Sequence, residues 1–168
     1  MPFFSDIARE KKCRFFLDPI PKGSHVLEVG CGFKWVGEYL KAKGHQNYIG
    51  LDLFPPADIV GNIKDWRTLG LREESFDFIV AFEVLEHEPC AKECFDLLKP
   101  GGKLLATSPV PSMDWVMKTF ELCGLNQPRT SPHDHLVDFR TVSHFELTSY
   151  RRIAGLSQWG IFTRQPRS

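Results

Sequence analysis

The sequence predicts an α/β fold in which a mostly parallel β-sheet carries helices on both faces. Residues 25–35 supply the first reason: a short apolar strand runs into two glycines, and an amphipathic helix begins directly after them. Residues 76–82 supply the second, because their continuous apolar run suits a strand buried on both faces, as in parallel sheets. Strand and helix patterns alternate between and after these two stretches, which agrees with this class.

Seven strands are predicted from the apolar runs and from the turn residues between them. They cover residues 26–29, 48–53, 57–63, 76–82, 103–109, 145–153 and 156–162. The last two form a hairpin whose turn lies near Gly155. Helices are predicted within residues 1–17, from Trp35 onward, and over 90–98 and 113–123, where apolar residues recur at helical spacing. The first of these helices would pack over the sheet or cover a ligand.

Length, charge and cysteine content narrow the class of protein. The 168 residues have the length of one domain with a single sizeable core. The 21 basic and 21 acidic residues cancel, so no overall charge attracts the chain to nucleic acid or to an anionic membrane. Five scattered cysteines and an N-terminal segment without a signal-peptide core lead us to expect a cytoplasmic protein with reduced thiols. The oligomeric state is left open.

The glycine turn after the first strand is predicted to bind a ligand. Gly30 and Gly32 let the backbone bend sharply and lie close to a bound group, and the N–H groups of the helix start favour an anionic or polar one. A dinucleotide fingerprint would need a third glycine where Trp35 stands. A phosphate-binding loop beginning at Gly32 would need a lysine where Glu38 stands. Both phosphate interpretations therefore fail.

Four motifs, taken in order, resemble those of the class I S-adenosylmethionine (SAM)-dependent methyltransferases, of the small-molecule type 11 kind. They are residues 28–32, Asp52 at the end of the second strand, residues 83–87, and the Leu-Lys-Pro-Gly-Gly turn at 98–102. The resemblance covers about residues 24–110. It implies SAM as the cofactor and a Rossmann-like seven-stranded sheet, mostly parallel with an antiparallel last strand.

The resemblance implies which residues contact the methionine end of SAM. They are Glu28, Gly30, Cys31, Gly32, Ala81 and Phe82. In the family the acidic residue and the glycine backbone hold the amino-acid end, while the backbone at the end of the fourth strand faces the methionine. Lys34 stands where relatives often have a third glycine, so it would crowd the methionine carboxylate or pair with it.

The nucleoside end would lie against the second and third strands. Asp52, with Leu53 beside it, would accept hydrogen bonds from the two ribose hydroxyls; the alternative is a loop carboxylate that caps a turn. Asn62 stands where relatives often use an aspartate to bind the adenine amine, and its amide could bind the adenine edge or belong to a turn. Ile63 is the apolar candidate for the adenine face.

Catalytic residues do not follow from cofactor motifs, and three histidines are the candidates. His87 follows Glu86 at a strand end that faces the predicted cleft, where an acid–base role and a structural role are both open. His133 and His135 lie on a loop where family members often build substrate contacts, and a solvated loop fits them equally well.

No metal site is expected. His87, Cys90 and Cys94 are ligand types, but a structural zinc site usually shows closely paired ligands twice over. The two cysteines are one helical turn apart, as two small residues of a core would be.

The sequence thus predicts a single SAM-dependent methyltransferase domain that acts on a small molecule, with neither nucleic acid nor membrane as a partner. Residues 1–23 would form an N-terminal helix or lid, 24–110 the cofactor-binding half and 111–168 the acceptor-side half. The acceptor atom, whether oxygen, nitrogen, carbon or sulfur, and the need for a base stay open. A non-catalytic SAM-binding or partner subunit is the alternative. An NAD-dependent reductase is disfavoured by Trp35, which stands where the dinucleotide fingerprint needs its third glycine.

Overall fold

The chain folds as strands and helices in alternation. A computed structural model describes residues 2–86, 89–110 and 138–166, with side chains described from residue 7 onward. Its helices are α1 (Pro2–Lys12), α2 (Trp35–Ala42) and α3 (Ala91–Leu97). Its strands are β1 (Val26–Val29), β2 (Tyr48–Asp52), β3 (Ile59–Val60), β4 (Phe76–Phe82), β5 (Leu98–Pro109), β6 (Phe145–Ile153) and β7 (Ser157–Arg164). A π-helical turn, Cys13–Leu17, continues α1.

The strands form one seven-stranded sheet in the order β3-β2-β1-β4-β5-β7-β6. Neighbours from β3 to β5 are parallel, whereas β7 is antiparallel to both β5 and β6. The predicted Rossmann-like fold, mostly parallel with an antiparallel last strand, is confirmed. The chain runs outward from β1 in both directions, so the order of strands reverses there. Ligands of open α/β sheets bind outside the carboxyl ends of the strands at such a reversal.

Successive strand residues bury their side chains on opposite faces of the sheet, and helices cover both. One face packs Leu27, Ile79 and Leu104 against Cys94 and Leu97 of α3. On the other face, the strand residues adjacent in sequence to these pack against α2 and the π-helical turn. The strands contribute Val26, Val80 and Leu105, and the helices contribute Val36, Leu40 and Phe16. Burial on both faces explains why β1 and β4 read as continuous apolar runs rather than alternating ones.

The C-terminal hairpin is confirmed, with its turn at the predicted place. Ala154 and Gly155 both take positive φ angles, of 49° and 72°, between β6 and β7. The turn therefore uses left-handed backbone, which glycine adopts without the steric cost that a Cβ brings. In the part of the chain that the structure describes, no helix has the length and apolar character that crossing a bilayer requires.

Two predicted elements differ in extent. The third strand covers only Ile59–Val60 instead of residues 57–63, because Ile63 begins a 3-10 turn that Asn62 caps by accepting from the N–H of Lys64. The predicted turn at 99–102 is absorbed into β5, which starts at Leu98 and shifts register against β4 between Phe76 and Phe78. The predicted helix over 113–123 lies outside the described residues.

Candidate functional site

The glycine turn is fixed to the end of β2 by three successive backbone N–H groups. Those of Gly30 and Cys31 donate to the carbonyl of Leu51 at 2.8 and 3.2 Å, and that of Gly32 donates to Asp52 Oδ2 at 2.8 Å. Gly30 has a φ of 72°, and a Cβ there would lie 2.6 Å from a Val84 methyl. Gly32 has a φ of 48°, but a Cβ there would meet nothing within 4 Å. A side chain at Gly30 would therefore clash with Val84, whereas the space beside the Gly32 backbone is open.

Asp52 stands at the end of β2 with a carboxylate that the loops hold in place. Oδ2 accepts from the N–H of Gly32, and Oδ1 accepts from the N–H of Phe54 at 3.2 Å. A carboxylate has about four lone-pair sites, so each oxygen keeps one site for a further donor. This carboxylate is thus oriented before any ligand binds and can accept two more hydrogen bonds, as a ribose diol requires.

Asp52 borders a cleft of about 160 Å³ at the carboxyl ends of β1, β2 and β4. The cleft brings together five residues predicted to bind cofactor, namely Gly30, Asp52, Leu53, Asn62 and Ile63. Its wall also includes Val29, Leu51, Gly61, Glu83 and Val84, which were not predicted. Sequence patterns show where each strand ends. They do not show which residues after a neighbouring strand close the cleft, so these wall residues were missed.

Asn62 and Ile63 were predicted to supply the polar contact and the apolar contact, respectively, of an adenine pocket. Ile63 is only 2% exposed and forms part of the core beneath the cleft. Asn62 Oδ1 accepts from the N–H of Lys64 at 2.9 Å, so the amide caps the turn that follows it. The side-chain carbonyl of Asn62 thus belongs to the turn, as one of the two interpretations predicted. The contact of Asn62 with adenine stays a prediction.

Glu28 lies beneath the glycine turn and is not part of the cleft wall. The Tyr48 hydroxyl donates to Glu28 Oε2, and the glutamate is 3% exposed. Burial raises the pKa of Glu28 to about 8, although the hydrogen bond from Tyr48 acts in the opposite direction. Burial also raises the pKa of the neighbouring Cys31 thiol to about 11, with the charge of Glu28 next in importance. A role for Glu28 in binding the amino-acid end of SAM stays a prediction.

Lys34 forms an ion pair with Asp58, which lies just before β3. Its Nζ donates to Asp58 Oδ1, while Asp58 Oδ2 accepts from the N–H of Gly50 at 2.8 Å. Lys34 itself adopts a left-handed φ of 60° at the start of α2. The lysine that replaces the family's third glycine thus uses its charge within the fold.

Beyond the cleft, the ends of β4 and β5 carry a polar cluster. Ala81 is fully buried, and Phe82 stacks on Trp35 of α2 at 6.0 Å between ring centres. Glu83 Oε1 accepts from Thr107 Oγ1 at 2.7 Å and from Lys12 Nζ at 3.2 Å. The N-terminal helix therefore reaches the carboxyl edge of the sheet, and its role as a lid stays a prediction.

The candidate catalytic histidines His87, His133 and His135 lie outside the described residues, so their roles stay predictions. Of the cysteines weighed as metal ligands, Cys90 and Cys94 are fully buried in the core, as their helical spacing predicted. Within residues 2–86, 89–110 and 138–166, no group of three metal-ligating side chains comes together.

Comparison with known proteins decides the family. The family model described as a methyltransferase domain matches residues 5–156. The chain belongs to the methyltransferase domain family. The matched span contains the glycine turn, the cleft and β6, whereas β7 (Ser157–Arg164) lies beyond it.

Curated relatives and solved structures extend this finding. The methyltransferase domain is 35% identical over 100 residues to a ubiquinone biosynthesis O-methyltransferase of Coxiella burnetii, an alignment that covers 49% of this chain and 42% of the relative. It is 31% identical over 120 residues to a probable tRNA methyltransferase 9B of Homo sapiens, covering 62% of this chain and 26% of that protein. The chain thus spans less than half of the length of these relatives.

A solved SAM-dependent methyltransferase from Methanosarcina mazei superposes with a TM-score of 0.66 at 18% identity, covering 89% of this chain and 96% of that one. At that identity the likeness shows the fold alone. SAM is the cofactor that membership of the family implies.

The residues present fit SAM by two tests. The first is the open space over Gly32 beside a carboxylate with unused acceptor sites. The second is charge: the described lining of the cleft contains the carboxylates of Asp52 and Glu83 but neither lysine nor arginine. Such a lining favours a sulfonium cation and opposes a pyrophosphate.

Proposed function

We propose that this chain binds SAM in the cleft at the ends of β1, β2 and β4 and transfers its methyl group to a small-molecule acceptor. The observation that carries the proposal is the Asp52 carboxylate. It is held by two backbone N–H groups, at 2.8 and 3.2 Å, and stands between the glycine turn and the apolar Ile63. The whole protein's substrates belong to the same proposal, because the chain spans only part of its relatives.

The residues of the chain act by binding and alignment. Asp52 would accept from the ribose hydroxyls, Asn62 and Ile63 would contact the adenine, and the turn at Gly32 would lie against the amino-acid end. When bound, SAM supplies an electrophilic methyl group on a positively charged sulfur. Holding donor and acceptor atoms in line turns a bimolecular displacement into an effectively unimolecular step, which accounts for much of the barrier that such enzymes remove.

Two features support a small acceptor. The sequence as a whole has no net excess of basic residues, since its 21 basic and 21 acidic residues cancel. The Coxiella burnetii relative, 35% identical over 100 residues, is named a ubiquinone biosynthesis O-methyltransferase, a name that points to a small-molecule acceptor. A cytoplasmic location is part of this proposal.

Calorimetry with SAM tests the proposal through Asp52→Ala. Hydrogen bonds to a charged group contribute roughly 1.5–3 kcal/mol each, so losing two from the ribose should weaken SAM binding at least tenfold. Asp65→Ala, on an exposed position of the turn after β3, is the matched control and should bind SAM like the wild type. Circular dichroism checks that both variants are folded.

The outcomes separate the interpretations. An unchanged dissociation constant for Asp52→Ala would remove Asp52 from the site, and a wild-type chain that binds NAD but not SAM would refute the function. A chain that binds SAM but forms no S-adenosylhomocysteine with any acceptor would instead be the non-catalytic subunit.

A further inference from the structure

The backbone at Glu83 is strained where β4 ends. Glu83 adopts a φ of 56°, a left-handed conformation that non-glycine residues rarely take. Its N–H donates to the carbonyl of Thr107 on β5 at 2.9 Å, which fixes this conformation. Such residues persist only where the surrounding structure holds them, and they cluster at active sites. The strain brings a carboxylate to the wall of the proposed cofactor cleft.

The Glu83 carboxylate is held through one of its oxygens. Oε1 accepts from Thr107 Oγ1 at 2.7 Å and from Lys12 Nζ at 3.2 Å, and Lys12 Nζ also lies 3.2 Å from Thr107 Oγ1. Among the described residues, none donates to Oε2 with ordinary hydrogen-bond geometry. The Glu83 side chain is 43% exposed, whereas the Lys12 side chain is 17% exposed. One oxygen is thus anchored and the other can meet a ligand.

A second carboxyl group lies behind the first. Glu86 is fully buried, and within the described residues neither of its oxygens has a hydrogen bond of good geometry, although Glu83 and Ser108 are its neighbours. Burial raises the pKa of Glu86, and the charge of Glu83 raises it further. Glu86 therefore holds its proton to a higher pH than an exposed glutamate does.

The surroundings of Glu83 are aromatic. The Phe82 ring stacks on Trp35 at an interplanar angle of 20°, and the centre of the Phe16 ring lies 5.1 Å from that of Phe82. Lys12 Nζ lies 5.1 Å from the centre of the Phe82 ring. Lys12 therefore contacts both the aromatic group and Glu83, so a ligand that meets Glu83 also meets a fixed cation.

We propose that Glu83 is the general base for a phenolic acceptor, with Lys12 and Thr107 as the residues that position its carboxylate. This rests on the proposed methyl transfer. Glu83 Oε2 takes the proton of the phenol O–H while the phenol oxygen forms a bond to the methyl carbon. The bond between that carbon and the sulfonium sulfur breaks, and its electron pair stays on sulfur. The products are the methyl ether, S-adenosylhomocysteine and a protonated Glu83, so atoms and charge balance.

The charges around Glu83 select this class of acceptor. An ammonium would be attracted by the carboxylate but repelled by the Lys12 cation that already occupies it. A neutral hydroxyl avoids that repulsion, and the negative charge that grows on its oxygen is stabilised by the same lysine. A phenol meets these conditions better than an alcohol, because its more acidic hydroxyl gives up its proton to a carboxylate more readily.

A series of phenols of graded acidity tests the proposal in the full chain with SAM: phenol, 4-chlorophenol, 4-nitrophenol and pentafluorophenol. General-base catalysis contributes about 100-fold or more, so Glu83→Gln should lose at least that factor in turnover of phenol. The loss should shrink along the series and vanish for pentafluorophenol, which is already ionised at neutral pH. Lys12→Met should show the same graded pattern with a smaller loss, which a merely structural role would not produce.

Binding gives a readout that does not depend on turnover. In the presence of S-adenosylhomocysteine, the wild type should bind 4-nitrophenol in its neutral, colourless form, because Glu83 accepts its proton in a hydrogen bond and opposes a second negative charge. In Glu83→Gln that opposition is gone while Lys12 remains, so the bound ligand should shift to the yellow phenolate. Glu146→Gln, an exposed glutamate of β6, is the matched control and should behave like the wild type.

Each contrary result refutes a specific part of the proposal. A uniform loss across the series, or bound 4-nitrophenol of the same colour in wild type and Glu83→Gln, would remove Glu83 as the base. A wild type that binds SAM but neither binds nor methylates any of the four phenols would refute the phenolic acceptor and leave the methyltransferase proposal standing. A wild type that does not bind SAM would refute the proposed function itself.

Discussion

The buried Glu28 should make stability depend on pH in one direction. Burial raises its pKa from the ordinary 4.5 to about 8, so the folded chain holds this proton when the unfolded chain has released it. Unfolding then releases a proton between pH 4.5 and 8, and stability falls as pH rises through that window. At about 1.4 kcal/mol per pKa unit, the loss between pH 5 and pH 8 amounts to roughly 3–4 kcal/mol.

Glu28→Gln isolates this effect, because glutamine keeps an oxygen for the Tyr48 hydroxyl and has no proton to lose in this range. The free energy of unfolding is measured in urea at pH 5, 6.5 and 8, with tryptophan fluorescence as the signal. The free energy of unfolding of the variant, relative to the wild type, should rise by roughly 3–4 kcal/mol from pH 5 to pH 8.

Glu38→Gln, the same change on an exposed position of α2, is the control and should show a difference from wild type that does not vary with pH. The reasoning fails if the difference between Glu28→Gln and the wild type is also flat from pH 5 to pH 8. Glu28 would then be ionised in the folded chain despite its burial.

Two further predictions concern the glycine turn and the buried arginine of β7. Gly30→Ala should lower stability more than Gly32→Ala, because both have positive φ but only at Gly30 would the new Cβ meet a side chain, at 2.6 Å; equal losses in urea unfolding would contradict this. Arg164→Met should cost about 1–3 kcal/mol, because it leaves the buried Leu98 carbonyl without its donor. Arg140→Met, whose guanidinium is exposed, is the control, and similar melting temperatures for the two variants would count against the argument.

The parallel half of the fold and the cofactor side of the cleft could be predicted because short-range patterns specify them. A buried strand, two glycines and a helix start fix the turn at 30–32, and the same rule places Asp52 at a strand end. β3 was predicted too long because apolar residues continue past Val60, while the capping of the next turn by Asn62 ends the strand. Whether a residue continues the hydrogen bonding of a β-sheet or caps a turn depends on its neighbours in space, and the sequence does not show which residues these are.

The acceptor side depends on contacts between distant parts of the chain, so the sequence indicated it poorly. Lys12 and Glu83 are 71 positions apart, and Thr107 lies on a third element. Nothing in the spacing of these residues shows that α1 crosses the ends of β4 and β5. The strained φ of Glu83 is equally invisible, since it follows from the hydrogen bond to Thr107 and not from residue type.

The position of β7 in the sheet has a consequence for synthesis on the ribosome. β7 is made after β6 but lies between β5 and β6, and the described pairings of β6 are all with β7. The parallel half from β3 to β5 can therefore assemble while β6 is already outside the ribosome with its pairing groups exposed. Only when residues 157–164 emerge can both join, so during translation β6 is an unpaired strand that chaperones or a neighbouring nascent chain can bind.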